Sequence, residues 1–266
     1  MSIQEVGSGD TRKKPIKLGG ALVTLVEPHR GHEVEYNRWY ERDHFYAGCM
    51  IGAWTISGGR YVATARHKAV RYPAESPIVP ELAAGSYVAL YWVLAGKFGE
   101  WMRWGTDQVN WLHANDRMFP HRDHIHTTMY KFRGEGHADA DGVPVELALD
   151  RGYPGLVMMI AEPAAGKDAA TLGDWITSRA PLPADQVATF TPVPLLADAP
   201  PDVPLTPETE RVCMLWFCED DPLDAWEERW VAMGRSMESE GAGTVVFAAP
   251  FVKTIPGTDT YTDQLW

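Results

Sequence analysis

Cysteine is scarce in this sequence of 266 residues, which contains only Cys49, Cys213 and Cys218. The count is odd and the spacing matches no metal-binding pattern, so the sequence predicts no disulfide framework of the kind found in small secreted proteins. Residues 1–17 also lack the apolar segment of a signal peptide. We therefore expect a reducing, cytoplasmic location.

Long apolar runs and an excess of positive charge are missing as well. No run approaches the roughly 20 residues that a membrane-spanning helix requires. The formal net charge of −12 disfavours nucleic acids and anionic membrane surfaces as partners. Glycine-rich phosphate loops and the Gly-x-Ser-x-Gly elbow of serine hydrolases are also absent from the sequence. These absences leave a small molecule as the expected partner.

Aromatic residues, by contrast, are abundant, with 11 Trp and 10 Tyr. Rings of this size serve either a large core or the wall of a pocket for an apolar ligand. The number exceeds what packing alone requires. We therefore expect some of these rings to line a pocket for a hydrophobic molecule.

The sequence also repeats itself. Strand-like apolar runs and helical segments follow one another in the order β-α-β-β-α-β, and this order occurs twice. Matching positions recur at nearly constant spacing in the two halves, namely Glu27-Pro28 and Glu162-Pro163, Trp39 and Trp175, Trp101 and Trp226, and Trp104 and Trp230. An internal duplication of a ferredoxin-like unit explains both observations.

The duplication predicts an α+β fold with two tandem ferredoxin-like copies. We place the first copy at residues 18–133, a Gly- and Asp-rich linker at 134–152 and the second copy at 153–255, with tails at 1–17 and 256–266. Each copy would form a four-stranded antiparallel sheet with helices on one face and a bare apolar face on the other. Packing the two bare faces together would close a pseudo-dimeric α+β barrel within one chain.

Residues 33–47 predict a helix with an unusual face. Tyr36, Tyr40 and His44 are four residues apart, so they share one side of the helix. That side can donate, accept and titrate protons, which an ordinary core stripe cannot. The alternative is an amphipathic helix whose histidine interacts with the helix dipole at the C-terminal turn.

The run YNRWY at residues 36–40, with Asp43 and His44 after it, resembles the first-helix pattern of the dimeric α+β-barrel superfamily, in particular its EthD-like and polyketide-cyclase-like proteins. The sequence departs from that pattern at residues 45–48 (FYAG), where a proline usually follows the histidine. The resemblance implies a ligand pocket between sheet and helices. The group includes cofactor-free isomerases, cyclases and lyases, and also haem enzymes.

All nine histidines lie between His29 and His137, so the predicted second copy has none. A purely structural role would not require that asymmetry. We interpret it as a single working site in the first copy, with the second copy as the closing wall.

Within the first copy, His124 and His126 occupy alternate positions of a predicted strand and are expected to point to the same face. With a third ligand such as His44, Glu41 or Asp43, they could bind a divalent metal. They could instead act as a general base and its hydrogen-bonding partner. A third interpretation is that they are polar residues at an exposed strand end.

We expect a cofactor-independent acid–base enzyme, a lyase or dehydratase, an isomerase or a cyclase, acting on a hydrophobic, aromatic or polyketide-like molecule. His44 would be the general base or acid, His124 or His126 would complete proton transfer, and Tyr40 would stabilise developing charge. The expected substrate-binding residues are Tyr36, Trp39, Asp43, Trp54, Trp92 and Tyr130. The alternatives are a metal-dependent enzyme using the His124/His126 pair and a non-catalytic binding protein. Haem is raised only by the resemblance, and homodimer formation stays open.

Overall fold

The computed structural model describes residues 15–204 and 210–266, so residues 1–14 of the predicted N-terminal tail lie outside the described chain. The strands are β1 Leu18–Pro28, β2 Thr55–Val62, β3 Tyr87–Leu94, β4 Arg122–His137, β5 Gly155–Pro163, β6 Gln186–Val193, β7 Val212–Cys218 and β8 Gly243–Lys253. The α-helices are α1 Glu33–Trp39, α2 Ala65–Ala69, α3 Phe98–Ala114, α4 Ala148–Arg151, α5 Ala169–Thr177 and α6 Ala232–Ser239.

The eight strands form one closed antiparallel barrel in the order β1-β3-β2-β8-β5-β7-β6-β4. The order divides into two four-stranded halves, β4-β1-β3-β2 and β6-β7-β5-β8, each with ferredoxin-like connections. The halves join through a long β4–β6 ladder and a short β2–β8 contact at Tyr61↔Lys253 and Val62↔Val252. The predicted α+β fold with two ferredoxin-like copies is confirmed.

The division of the chain into copies and linker stays a prediction. Strand β1 begins at Leu18, the first residue of the predicted first copy, and β8 ends at Lys253. Strand β4 continues to His137, four residues into the predicted linker, because residues 134–137 still pair with β6.

The barrel interior is a packed hydrophobic core. Side chains that alternate along β1, β3, β5 and β7 point inward, and the largest of them include Trp92 and Phe217. The Trp92 ring is fully buried between Phe190 and Phe217, and its Nε1 donates to the Val145 carbonyl over 2.9 Å. The interior therefore leaves no room for a ligand beside Trp92.

The helices cover the outer faces of the barrel. Helix α1 continues without a break into an 11-residue π-helix, Tyr40–Met50, which we call the π segment. Strand β2 ends at Val62, and α2 follows over Ala65–Ala69. Thr64 is extended and its hydroxyl and backbone N–H contact His67 Nδ1, which caps the helix and ends the strand.

In the described part of the chain, no helix is long and apolar enough to cross a membrane.

We expect Trp92→Ala to lower the free energy of unfolding by about 3–5 kcal/mol, because it removes a fully buried ring from the barrel interior. Urea denaturation measures the change. Trp111→Ala is the matched control, since this ring is 50% exposed on α3 and its loss is expected to cost about 0.5 kcal/mol or less. A Trp92→Ala cost as small as that of the control would contradict the interior placement.

Candidate functional site

A cavity of about 90 Å³ lies between the sheet of the first copy and its helices. Its floor is the outer face of β1, β3 and β4, and its walls are the π segment and α3. Residues 194–204, which follow β6 and which we call the covering loop, form its roof. The polar side chains that line it include Thr24, Tyr40, His44, Tyr91, Thr106, Arg122, His124 and Thr127.

The π segment positions the helical side of this site. Tyr40, His44, Gly48 and Cys49 all line the cavity, and wide helices of this kind are frequent at functional sites. Gly48 leaves space for the His44 ring, because a Cβ at position 48 would lie only 2.9 Å from His44 Cε1. On its other side the His44 ring stacks on Trp39 with 4.4 Å between ring centroids.

His44 is held neutral. Burial lowers the pKa of His44 to about 3, and the nearby positive charge of Arg122 lowers it further. Its Nδ1 is buried and has no hydrogen-bond partner among the described residues. An unpartnered buried ring nitrogen costs stability. A ligand that reaches this nitrogen would remove that cost.

His124 is a second neutral imidazole on the cavity. Its Nε2 lies 3.3 Å from Arg122 Nη2, and its Nδ1 lies 2.8 Å from Thr127 Oγ1. Because a guanidinium can only donate, Nε2 is the acceptor and Nδ1–H donates to the threonine. Burial, followed by the charge of Arg122, lowers the pKa of His124 to about 4.

His126 does not join this site. Leu25 pairs with His126 while the next residue, Val26, pairs with His124, so Ile125 is an extra residue in the ladder. Such a β-bulge reverses the side-chain alternation, and the prediction that His124 and His126 share a face is wrong. His126 instead faces the barrel, where its Nε2 lies 2.8 Å from the hydroxyl of Tyr130.

The same bulge makes the alternative prediction wrong, because His126 cannot join His44 and His124 in a metal site. Within residues 15–204 and 210–266, no group of three or more His, Cys, Asp or Glu side chains is arranged to hold a metal ion.

Two tyrosine hydroxyls meet at the inner end of the cavity. Tyr40 and Tyr91 are hydrogen-bonded through their hydroxyls at 2.7 Å. Burial raises the pKa of both phenols above the usual range and raises the pKa of the neighbouring Cys49 thiol to about 12. All three groups therefore stay protonated at neutral pH. One tyrosine O–H is used in the bond between the two hydroxyls, so the pair can donate one hydrogen bond to a ligand oxygen, and none of the three groups is a nucleophile.

The remaining predicted ligand-binding residues lie outside the cavity lining. Trp92 and Tyr130 point into the barrel. Tyr36 is buried beneath the guanidinium of Arg60. Asp43 forms an ion pair with Arg117, and Trp54 is 37% exposed under the ammonium of Lys97. The structure thus brings together Tyr40, His44 and His124, with Trp39 behind the His44 ring.

Sequence reasoning missed several lining groups, including Arg122, Thr24, Tyr91 and the covering loop. Arg122 stands beside the histidine cluster, and this position was the available signal. Thr24 and Tyr91 belong to apolar strand runs, where nothing in the sequence marks the outward face. The covering loop comes from the second copy, and its position depends on contacts that are distant in sequence.

No family model matches the chain, and no curated protein matches it. Several solved structures are similar to the chain. An anthrone oxidase-like protein is similar with a TM-score of 0.51 and 9% identity, over 92% of this chain and 98% of that one. A chlorite dismutase-like protein is similar with a TM-score of 0.51 and 10% identity, over 94% of this chain and 100% of that one. The fold is therefore that of the dimeric α+β-barrel proteins.

Two predictions are wrong in the light of this comparison. The structures that share the fold are described as oxidase-like and chlorite dismutase-like proteins, not as the expected cofactor-independent lyases, isomerases or cyclases. The expectation of no cofactor is also contradicted, because the similar structures include a DypB variant from Rhodococcus jostii RHA1 in complex with heme (TM-score 0.46, 9% identity, over 94% of this chain and 96% of that one).

Haem does not fit the cavity as it stands. The volume of about 90 Å³ is below the roughly 150 Å³ that accepts a benzene-sized ligand. The imidazoles of His44 and His124 line the cavity and are of the type that binds haem iron, but the space beside them does not hold the group with the covering loop in place.

Acid should destabilise the protein below pH 6.5, because His44, His124 and His126 have pKa values of about 3 or 4 when folded and about 6.5 when unfolded. Between these limits the unfolded chain binds protons that the folded chain does not. The free energy of unfolding should therefore decrease as the pH decreases, by up to about 1.4 kcal/mol per pH unit for each histidine.

Urea denaturation between about pH 7 and about pH 4.5 measures this slope. His126→Gln should reduce the slope, whereas the control His29→Gln, at an exposed position, should leave it unchanged. Equal slopes in the two variants would show that His126 titrates normally in the folded state.

Thr24→Val should stabilise the protein, because Thr24 Oγ1 is buried on the cavity floor and has no partner among the described residues. Removing such a hydroxyl is expected to raise the free energy of unfolding by about 1–2 kcal/mol. Thr127→Val is the matched control and should be destabilising, since its hydroxyl accepts from His124. Thermal and urea unfolding of both variants would distinguish them, and a destabilising Thr24→Val would mean that the hydroxyl has a structural partner.

Proposed function

We propose that this protein is an enzyme that oxidises a small, apolar aromatic molecule bound in the His44 cavity. The observation that carries the proposal is the ring of His44, which lines the cavity as a neutral base and has an unpartnered buried Nδ1. An unsatisfied buried polar atom in a native structure calls for an explanation, and a role toward a ligand is one.

The cavity lining supports an apolar ligand that can become an anion. Its apolar side chains include Leu22, Val26, Met102, Val109, Met118 and Met129. Arg122 is the one charged side chain among the described lining residues, and no carboxylate is present to repel a negative charge. A substrate with an acidic O–H or C–H next to an aromatic ring matches this environment.

His44 would accept the proton. Its pKa is low in the empty site because burial and Arg122 disfavour the imidazolium. A substrate anion formed beside the ring reverses this effect, since an opposite charge favours the protonated histidine. In the Tyr40–Tyr91 pair one hydroxyl donates to the other, so the remaining O–H would donate a hydrogen bond to the substrate oxygen as its charge grows.

Dioxygen would be the oxidant. For a CH₂ group flanked by two aromatic rings, CH₂ and O₂ give C=O and H₂O. Two C–H bonds and the O–O bond break, while the C=O bond and two O–H bonds form. One oxygen atom remains in the product and the other leaves as water, so four electrons pass from carbon to O₂. The oxidative class is suggested by the anthrone oxidase-like protein of the same fold, and the likeness itself shows the fold alone.

Finer assignments belong to the same proposal. We place the chain with the EthD-like or polyketide-cyclase-like proteins because of Tyr36, Tyr40 and His44 on one helix. A cytoplasmic location and homodimer formation are proposed on composition and fold, with the catalytic side chains in the first copy.

His44→Gln is expected to reduce turnover by about 10²-fold or more, because it removes the proton acceptor, while ligand affinity changes by only a few-fold. Oxygen consumption with a panel of anthrones and phenols measures turnover, and quenching of tryptophan fluorescence measures binding. His121→Gln is the control, since His121 is exposed and does not line the cavity.

Three outcomes decide the proposal. Oxygen consumption that requires His44 supports it. Binding without oxygen consumption would make this a non-catalytic binding protein. A fully active His44→Gln variant would leave the cavity as a substrate site but remove His44 from the chemistry.

A further inference from the structure

The covering loop, residues 194–204, comes from the second copy but closes the cavity of the first. Leu195, Ala199 and Val203 are four residues apart and all line the cavity, together with Pro200. The acidic residues of the same loop point elsewhere, toward cations on α3 and β4. The loop is thus amphipathic, with an apolar side on the ligand space.

The first attachment of the loop is at Asp198. Arg103 Nη1 donates to Asp198 Oδ1 over 3.0 Å, and Arg103 Nη2 lies 2.8 Å from Oδ2. The side-chain amide of Asn110 donates to the Asp198 carbonyl over 2.9 Å. The side chains of Arg103 and Asp198 are 42% and 60% exposed, so water and salt screen this ion pair.

The second attachment is at Asp202. Its Oδ2 accepts from Arg122 Nη2 over 3.0 Å, and its Oδ1 lies 3.2 Å from His113 Nε2. Arg122 is itself part of the cavity lining. The same guanidinium therefore faces the ligand space and holds the roof.

The corresponding connection of the first copy, residues 63–86 between β2 and β3, is attached differently. Tyr72 exchanges two backbone hydrogen bonds with Ala248 of β8, and its hydroxyl donates to the Trp230 carbonyl over 2.7 Å. Among the described hydrogen bonds, the backbone of the covering loop bonds only within the loop and to Asn110. Residues 63–86 are thus anchored to the sheet by backbone hydrogen bonds, whereas the covering loop is held by ion pairs.

The size of the cavity adds a second observation. Sites for drug-sized molecules measure roughly 300–1,000 Å³, whereas this cavity is about 90 Å³ with the loop in place. Four of its lining residues belong to the loop. A multi-ring ligand would need that roof to move outward.

We propose that the covering loop is a movable roof, held closed by the ion pairs of Asp198 and Asp202, whose opening admits the ligand to the His44 cavity. The identity of the ligand rests on the proposed function, but the opening of the loop can be measured without a ligand. The second copy would thereby control access to the site of the first.

Cys49 is a natural reporter of opening, because it lines the cavity and is buried. Burial raises the pKa of its thiol to about 12, so the closed form resists alkylation. We would measure the rate of iodoacetamide labelling of each cysteine by peptide mass spectrometry. Cys213 and Cys218, fully buried on β7, report global unfolding in the same sample.

Asp198→Asn and Asp202→Asn should each raise the Cys49 labelling rate on the order of five-fold, with a larger effect in the double variant. Labelling of Cys213 and Cys218 should stay unchanged. In the unmodified sequence, about 1 M NaCl should raise the Cys49 rate by screening the ion pairs. The same salt should have little effect on the double variant.

Asp107→Asn is the matched control. Asp107 also pairs with Arg103, at 2.6 Å, but it belongs to α3 and does not hold the loop. An unchanged Cys49 rate in the double variant would overturn the proposal, as would equal increases at all three cysteines or an Asp107→Asn effect as large as that of Asp198→Asn. If the variants label Cys49 faster but no aromatic ligand slows this labelling, the movable roof would stand. The assignment of an aromatic ligand to the cavity would then be overturned.

Discussion

The fold depends on one constraint, which is that each four-stranded sheet has an apolar face that water must not reach. The two copies satisfy it by closing a single barrel, and the ladders β4–β6 and β2–β8 remove the free sheet edges. The interior is then filled by rings such as Trp92 and Phe190. Because the barrel is packed around these rings, the His44 cavity lies in the outer layer, between sheet and helices.

That location determines the electrostatics of the site. A layer covered by helices and a loop is poorly hydrated, so the imidazoles of His44 and His124 lose their charge and the phenols of Tyr40 and Tyr91 keep their protons. Arg122 supplies the positive charge of the site, and its guanidinium donates to Asp202 and to the Phe119 carbonyl. The site therefore combines neutral bases, neutral donors and one positive charge, which suits an anion that forms only during reaction.

The repeated pattern in the sequence was sufficient to predict the two copies and their barrel, because strand order in a ferredoxin-like unit follows from β-α-β-β-α-β connectivity. Helical spacing placed Tyr40 and His44 together on the cavity. The His124/His126 pair was mispredicted because the single extra residue Ile125 reverses alternation without any signal in composition. The π segment and the covering loop were not predictable, since both depend on tertiary packing.

Two of the nine histidines, His44 and His124, line the cavity, and the space that they line depends on how the two connections are used. In the second copy, Tyr72 from the β2–β3 connection packs beside Trp226 and Trp230, against the helices of that copy. The equivalent space there is occupied by a protein side chain. In the first copy, the covering loop spans the corresponding space and leaves a cavity beneath it. Duplication in one chain permits this difference, because two identical subunits would have to carry the same connection.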